Sequence, residues 1–62
     1  MRVLVNGAPR EVSERSSIAT LVPQRAGIAV ALNGVVVRRA DWADTWVREH
    51  DAVEVLTAHQ GG

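Results

Sequence analysis

From Arg2 to Asn6 the chain alternates, and Val3 and Val5 fall on one face, the two-residue period of a half-buried strand. Asn6-Gly7 follows, a pair suited to a type I′ hairpin turn, whose two central residues both need positive φ. The pattern predicts a returning strand over Ala8 to Val12. Pro9 has no N–H to give a ladder and belongs at a strand end or on an edge. The polar stretch Ser13 to Ser17 comes next, and Ser16 or Ser17 can cap a helix. Ile18, Leu21 and Val22 then stand at i, i+3 and i+4, the apolar stripe of a short helix. Pro23 should kink or end that helix early, and Gly27 is a stop signal just beyond it.

Ile28 to Asn33 reads as a continuous apolar strand suited to the middle of a sheet. Asn33-Gly34 repeats the hairpin signal, with Val35 to Arg38 as partner strand. Ala40 to Ala43 forms a helical turn, with Asp41 near its start and Trp42 folding inward. Thr45 to Arg48 is a candidate short strand, Glu49-His50-Asp51 a turn, and Ala52 to Thr57 the last strand. In that strand Val53 and Val55 share one face, Glu54 and Leu56 the other. The order of elements predicts an α+β fold of the β-grasp type, a mixed sheet of four to five strands packed against one short helix. Its expected core is Val3, Val5, Ile18, Leu21, Val30, Leu32, Val53 and Val55. The whole chain, residues 1–62, reads as one domain with a flexible C-terminal tail over 58–62.

Size and composition narrow what such a domain can do. A chain of 62 residues has little interior room for a deep substrate cavity, which disfavours a self-sufficient enzyme. Seven basic and seven acidic residues balance, so no charge footprint for nucleic acid or an anionic membrane is visible. The longest apolar run is far too short to span a bilayer, and the first strand lacks the features of a signal peptide. The expected location is the cytoplasm. There is no cysteine, which excludes disulfides, thiolate metal sites and a catalytic thiol. Sulfur, if carried, cannot ride on a side chain as a persulfide.

After the last strand come Ala58-His59-Gln60-Gly61-Gly62. Glycine suits a tail that must enter another protein's active site, because without Cβ the backbone can take unusual φ values and approach its neighbours closely. A carboxylate is a poor electrophile until its oxygen becomes a good leaving group. Joining it to AMP does so, and a sulfur nucleophile can then displace AMP to leave a C-terminal thiocarboxylate. ATP-Mg would have to bind on a partner, since this chain has no glycine-rich phosphate loop.

Three stretches carry a resemblance: Ile28-Ala29-Val30-Ala31-Leu32-Asn33-Gly34, then Val37-Arg38-Arg39-Ala40-Asp41-Trp42, and the Gly61-Gly62 tail. The chain resembles the ThiS family, the ubiquitin-like sulfur carriers of thiamine biosynthesis, over nearly its whole length. The resemblance implies a protein co-substrate rather than an enzyme. An E1-like adenylating enzyme would activate Gly62, a cysteine desulfurase system would supply sulfur, and the Gly62 thiocarboxylate would donate it to thiazole synthase. Gly61 and Gly62 would thread into the partner's active site. The family often has proline where Arg38 stands and glycine where His50 stands, so His50 is expected to adopt a left-handed conformation.

The remaining candidates have simpler readings. His50 and His59 have no supporting ligands for a metal or an acid–base pair, and no cofactor is expected on this chain. Ser13, Ser16 and Ser17 lack an activating base, and Trp42 and Trp46 read as packing residues. Leu56, outward on the last strand, is a candidate for the partner-docking face, and Arg39 could dock an acidic partner surface. Alternatives are a carrier serving another product (molybdopterin, cysteine or another metabolite), a protein modifier acting through Gly62, and a β-grasp binding module with an idle tail.

Overall fold

The computed structural model describes residues 1–23 and 26–57. Strands β1 (Arg2–Val5) and β2 (Ala8–Glu11) form the first hairpin, with Asn6 and Gly7 at φ 51° and 82°. Both values are positive, as the Asn-Gly pair requires for a type I′ turn. The second hairpin repeats this geometry. It joins β3 (Ile28–Leu32) to β4 (Val35–Val37) through Asn33 and Gly34 at φ 51° and 84°. Between the hairpins α1 (Ile18–Leu21) is a single helical turn that ends before Pro23. A 3-10 helix (Arg39–Asp44) follows β4, and β5 (Ala52–Thr57) is the last strand.

The five strands lie in the order β2-β1-β5-β3-β4. β1 pairs parallel with β5 and every other neighbour is antiparallel, so the sheet is mixed, as a β-grasp fold demands. The central place belongs to β5; β3, expected in the middle, lies beside it. Pro9 sits on the edge strand β2, where a missing N–H costs no ladder bond on the outer side.

One face of this sheet is covered by α1 and the 3-10 helix, and the core lies between them. Val3, Ile18, Val22, Val30, Trp42, Val47 and Val53 are buried. Val5, Leu21, Leu32 and Val55 pack against them from partly buried positions. Each fully buried aliphatic side chain contributes about 1.5–3 kcal/mol by leaving water. Trp42 closes the layer, its indole N–H donating to the Val37 carbonyl at 2.9 Å, which settles the ring's polar end inside an apolar setting.

Two local expectations change. Ser17 stands at the helix N-cap with extended backbone, yet no serine side chain caps the helix. The Ile18 amide instead donates to the Thr45 carbonyl at 2.9 Å, and the Ser16 hydroxyl donates to the Ser13 carbonyl at 2.7 Å. The first amide of the helix is thus satisfied by a distant segment rather than by a serine side chain, while the Thr20 amide donates to the Ser17 carbonyl at 3.1 Å. That segment, expected as a strand, reduces to one antiparallel bridge between Ser17 and Trp46, flanked by the bond from Val47 N–H to the Ser16 carbonyl. The bridge turns Val47 inward and leaves Trp46 52% exposed, with Arg15 over its ring, so Trp46 is no core residue.

Candidate functional site

Gly61, Gly62 and the rest of the expected tail, 58–62, lie outside the described residues, as does His59. What the structure does define is the strand that leads to them and the surface around that strand. β5 is hydrogen-bonded on both sides. Toward β3 the register runs from Ile28↔Thr57 to Leu32↔Val53. Toward β1 only Leu4↔Ala52 and Val5↔Val53 pair, because β1 turns back at Asn6.

Two asparagines of the hairpin turns extend those ladders with their side chains. The Val55 N–H donates to Asn6 Oδ1 at 2.7 Å, and Asn6 Nδ2 donates to the Val55 carbonyl at 3.3 Å. At the other end, the Ala52 N–H donates to Asn33 Oδ1 at 2.9 Å, while the Asn33 backbone N–H donates to the Ala52 carbonyl at 2.8 Å. Asn33 Nδ2 also reaches Asp51 Oδ1 at 3.0 Å. A carboxamide carries the same donor and acceptor as a peptide unit, so it can stand in for one where the neighbouring strand has ended.

The sheet face turned away from the helices carries Leu56. By register Leu56 faces outward with Ala29, Glu54 with Ala31 and Val36, and Ala52 with Leu4 and Pro9. Leu56 is 61% exposed, Val36 73% and Leu4 37%. Ala29, Ala31 and Ala52 stand between them as small residues, and the exposed Glu54 shares the face. Leu4 and Val36 had not been singled out from sequence. Leu4 occupies the outward position of an alternating strand, a readable signal, whereas Val36 sits inside three consecutive valines and shows no alternation.

Arg39 is placed elsewhere. It opens the 3-10 helix, and its guanidinium lies 4.4 Å from the centre of the Trp42 ring, in the layer that covers the inner face. The structure therefore does not bring Arg39 and Leu56 together. Of the remaining candidates, His50 is exposed and in the expected left-handed region at φ 72°, with Glu49 Oε2 at 3.9 Å. Among the described residues no cluster of His, Asp and Glu side chains is suited to a metal ion, and no helix is long and apolar enough to cross a membrane.

Comparison with known proteins bears on this arrangement. The ThiS family model matches residues 3–62, from the first strand through the terminal glycines. A crystal structure of the thiamine biosynthesis protein ThiS from Geobacter metallireducens is similar over all of both chains, at 36% identity and a TM-score of 0.84. An NMR solution structure of a thiamine biosynthesis protein from the same organism covers all of this chain and 88% of its own, at 36% identity and a TM-score of 0.77. No curated protein matches the chain. With the mixed sheet, the short helix and a family match that runs through Gly62, this chain belongs to the ThiS family, the ubiquitin-like carriers its motifs resemble.

Proposed function

We propose that this protein is a sulfur carrier of thiamine biosynthesis whose working group is the Gly62 carboxylate. The observation that carries the reading is the family match through residue 62, set on a sheet whose central strand ends at Thr57, shortly before Gly62 in the chain. The similar Geobacter structures, both of thiamine biosynthesis proteins, support the thiamine branch.

The chemistry belongs to partners, and this chain is their co-substrate. An E1-like adenylating enzyme, using its own Mg-ATP, lets a Gly62 carboxylate oxygen attack the α-phosphorus and releases pyrophosphate. A persulfide supplied by a cysteine desulfurase system then attacks the acyl carbon and AMP leaves; a thiol reductant cleaves the resulting acyl disulfide, itself ending as a disulfide, and the freed thiocarboxylate donates sulfur to thiazole synthase. Gly61 and Gly62, lacking side chains, fit a narrow channel toward the bound nucleotide. Leu56, with Leu4 and Val36 beside it, supplies the apolar docking surface, and Arg39 offers a cation to an acidic part of the partner from the other layer. The proposed location, alongside these enzymes, is the cytoplasm.

Incubation with the adenylating enzyme, Mg-ATP and a sulfide source tests the reading. The expected product carries one sulfur in place of one Gly62 oxygen, read by mass spectrometry of the C-terminal peptide. A carrier that supports thiazole formation unchanged after loss of Gly62 overturns it in favour of a binding module. Gly62 found joined to lysines of other proteins would favour the modifier reading.

A further inference from the structure

The bonds from Asn6 to Val55 connect residues 49 positions apart and serve no turn geometry. A type I′ turn needs positive φ at Asn6, which a glycine or an aspartate would also accept. It does not need a carboxamide pointing across the sheet. The alternation of β5 shows what the carboxamide does there. Val53 faces β1, its carbonyl accepting from the Asn6 backbone N–H at 2.8 Å, and Val55 is the next residue on that side. By then β1 has turned away. Without Asn6 the Val55 N–H and C=O would face solvent, and β5 would be held from Val55 onward by β3 alone.

We infer that Asn6 is a positioning residue: its side-chain amide acts as one extra rung of the sheet, fixing where and in what direction the last strand hands the chain over to the reactive tail. Val55 stands seven residues before Gly62, and after it only Leu56 and Thr57 remain in the strand. A tail that must deliver its terminal carbonyl into another protein's active site gains from a fixed point of departure, because fewer conformations must then be frozen on threading. Asn33 makes the comparable bond at Ala52, where β5 enters the sheet, and so serves as an internal control.

The inference rests on the carrier reading, and the experiment separates the two. Asn6→Gly keeps a residue at ease with positive φ and removes the rung; Asn33→Gly does the same at the far end. For Asn6→Gly, hydrogen exchange at the Val55 amide should accelerate roughly 2- to 12-fold, the range a typical hydrogen bond confers. The kcat for adenylation of the carrier should fall severalfold while its KM, set by docking of the sheet face, stays unchanged. Asn6→Asp keeps the acceptor for the Val55 N–H, so exchange there should remain slow and kcat should recover in large part. Asn33→Gly should loosen the Ala52 amide and leave kcat intact. Equal turnover of wild type and Asn6→Gly, or a loss matched by Asn33→Gly, overturns the positioning role alone. A wild-type chain that the enzyme does not adenylate overturns the carrier reading and the positioning role with it, whatever the exchange at Val55 shows.

Discussion

The two faces of the sheet are built from the same strands, yet they meet different surroundings. On the inner face Val3, Val30 and Val53 are essentially inaccessible, and Ile18 and Trp42 lie against them. On the outer face Leu4, Val36 and Leu56, equally apolar, stand in solvent one residue away along the strands. Scattered exposed leucines are ordinary. Three apolar projections share this face with three alanines and the exposed Glu54, and the proposed partner would cover them. In β1 and β5 one parity of residues makes the fold, and the other is the parity proposed to make the contact.

Removing Gly62 should have the largest effect on function and none on the inner face. Deletion, or extension beyond Gly62, displaces the reacting carbonyl by about 3.3–3.6 Å, one residue length. That is large against the roughly 1 Å tolerance of positioned chemistry. Pyrophosphate exchange with the adenylating enzyme should vanish while the thermal midpoint stays put. A changed midpoint would show that the tail takes part in the fold.

The inner face breaks through Trp42. Trp42→Ala should cost about 3–5 kcal/mol, a loss that approaches the whole stability of a small domain, so the variant should be largely unfolded in denaturant titrations that leave wild type folded. Leu21→Ala should fall below the roughly 2–5 kcal/mol of a fully buried leucine, because Leu21 is only half-buried. A stable Trp42→Ala protein would mean that the core is not organised around the indole.

Much of this was legible before any coordinates, for a reason visible in particular residues. Val3 and Val53 follow a clean two-residue period and the two Asn-Gly pairs specify their turns chemically, so both hairpin turns and the inward faces of β1 and β5 could be read directly, whereas the three valines of β4 give no such period. Val47 could not. It lies in a segment with no sustained period, and its burial comes from a single bridge to Ser17 that nothing local announces. For the same reason Trp42 and Trp46, alike in sequence, end with opposite exposures. The site divides in the same way. Leu56 and Leu4 occupy outward positions of strands, whereas the bond of Asn6 to Val55 exists only because the topology lays β5 against β1.

The outer face is tested by Leu56→Asp. The position is exposed, so the thermal midpoint should move little, while affinity for the adenylating enzyme should drop at least about tenfold, or ~1.4 kcal/mol. Leu4→Asp and Val36→Asp should weaken binding in the same sense if the three act as one surface. Unchanged binding in Leu56→Asp would remove the strand's outward leucine from the contact, and with it the proposed difference in role between the two faces.

The smallest effect belongs to Arg39, which sits in the layer over the inner face and not on the outer one. Its guanidinium covers the Trp42 ring at 4.4 Å, an arrangement worth about 0.5–1 kcal/mol at an exposed site. Arg39→Ala should therefore lower stability by about that amount, a shift of roughly 2–8 °C in the midpoint of a domain this size. Arg39→Lys keeps the charge but loses the planar stack, so the two roles come apart. If Arg39 serves only the core, lysine should destabilise almost as alanine does, and neither should affect partner binding. If it also meets an acidic partner surface, alanine should slow association a few fold at low salt and lysine should restore the rate, since a peripheral charge acts chiefly on encounter. A loss of binding in Arg39→Ala as large as that in Leu56→Asp would show a partner gripping both layers at once.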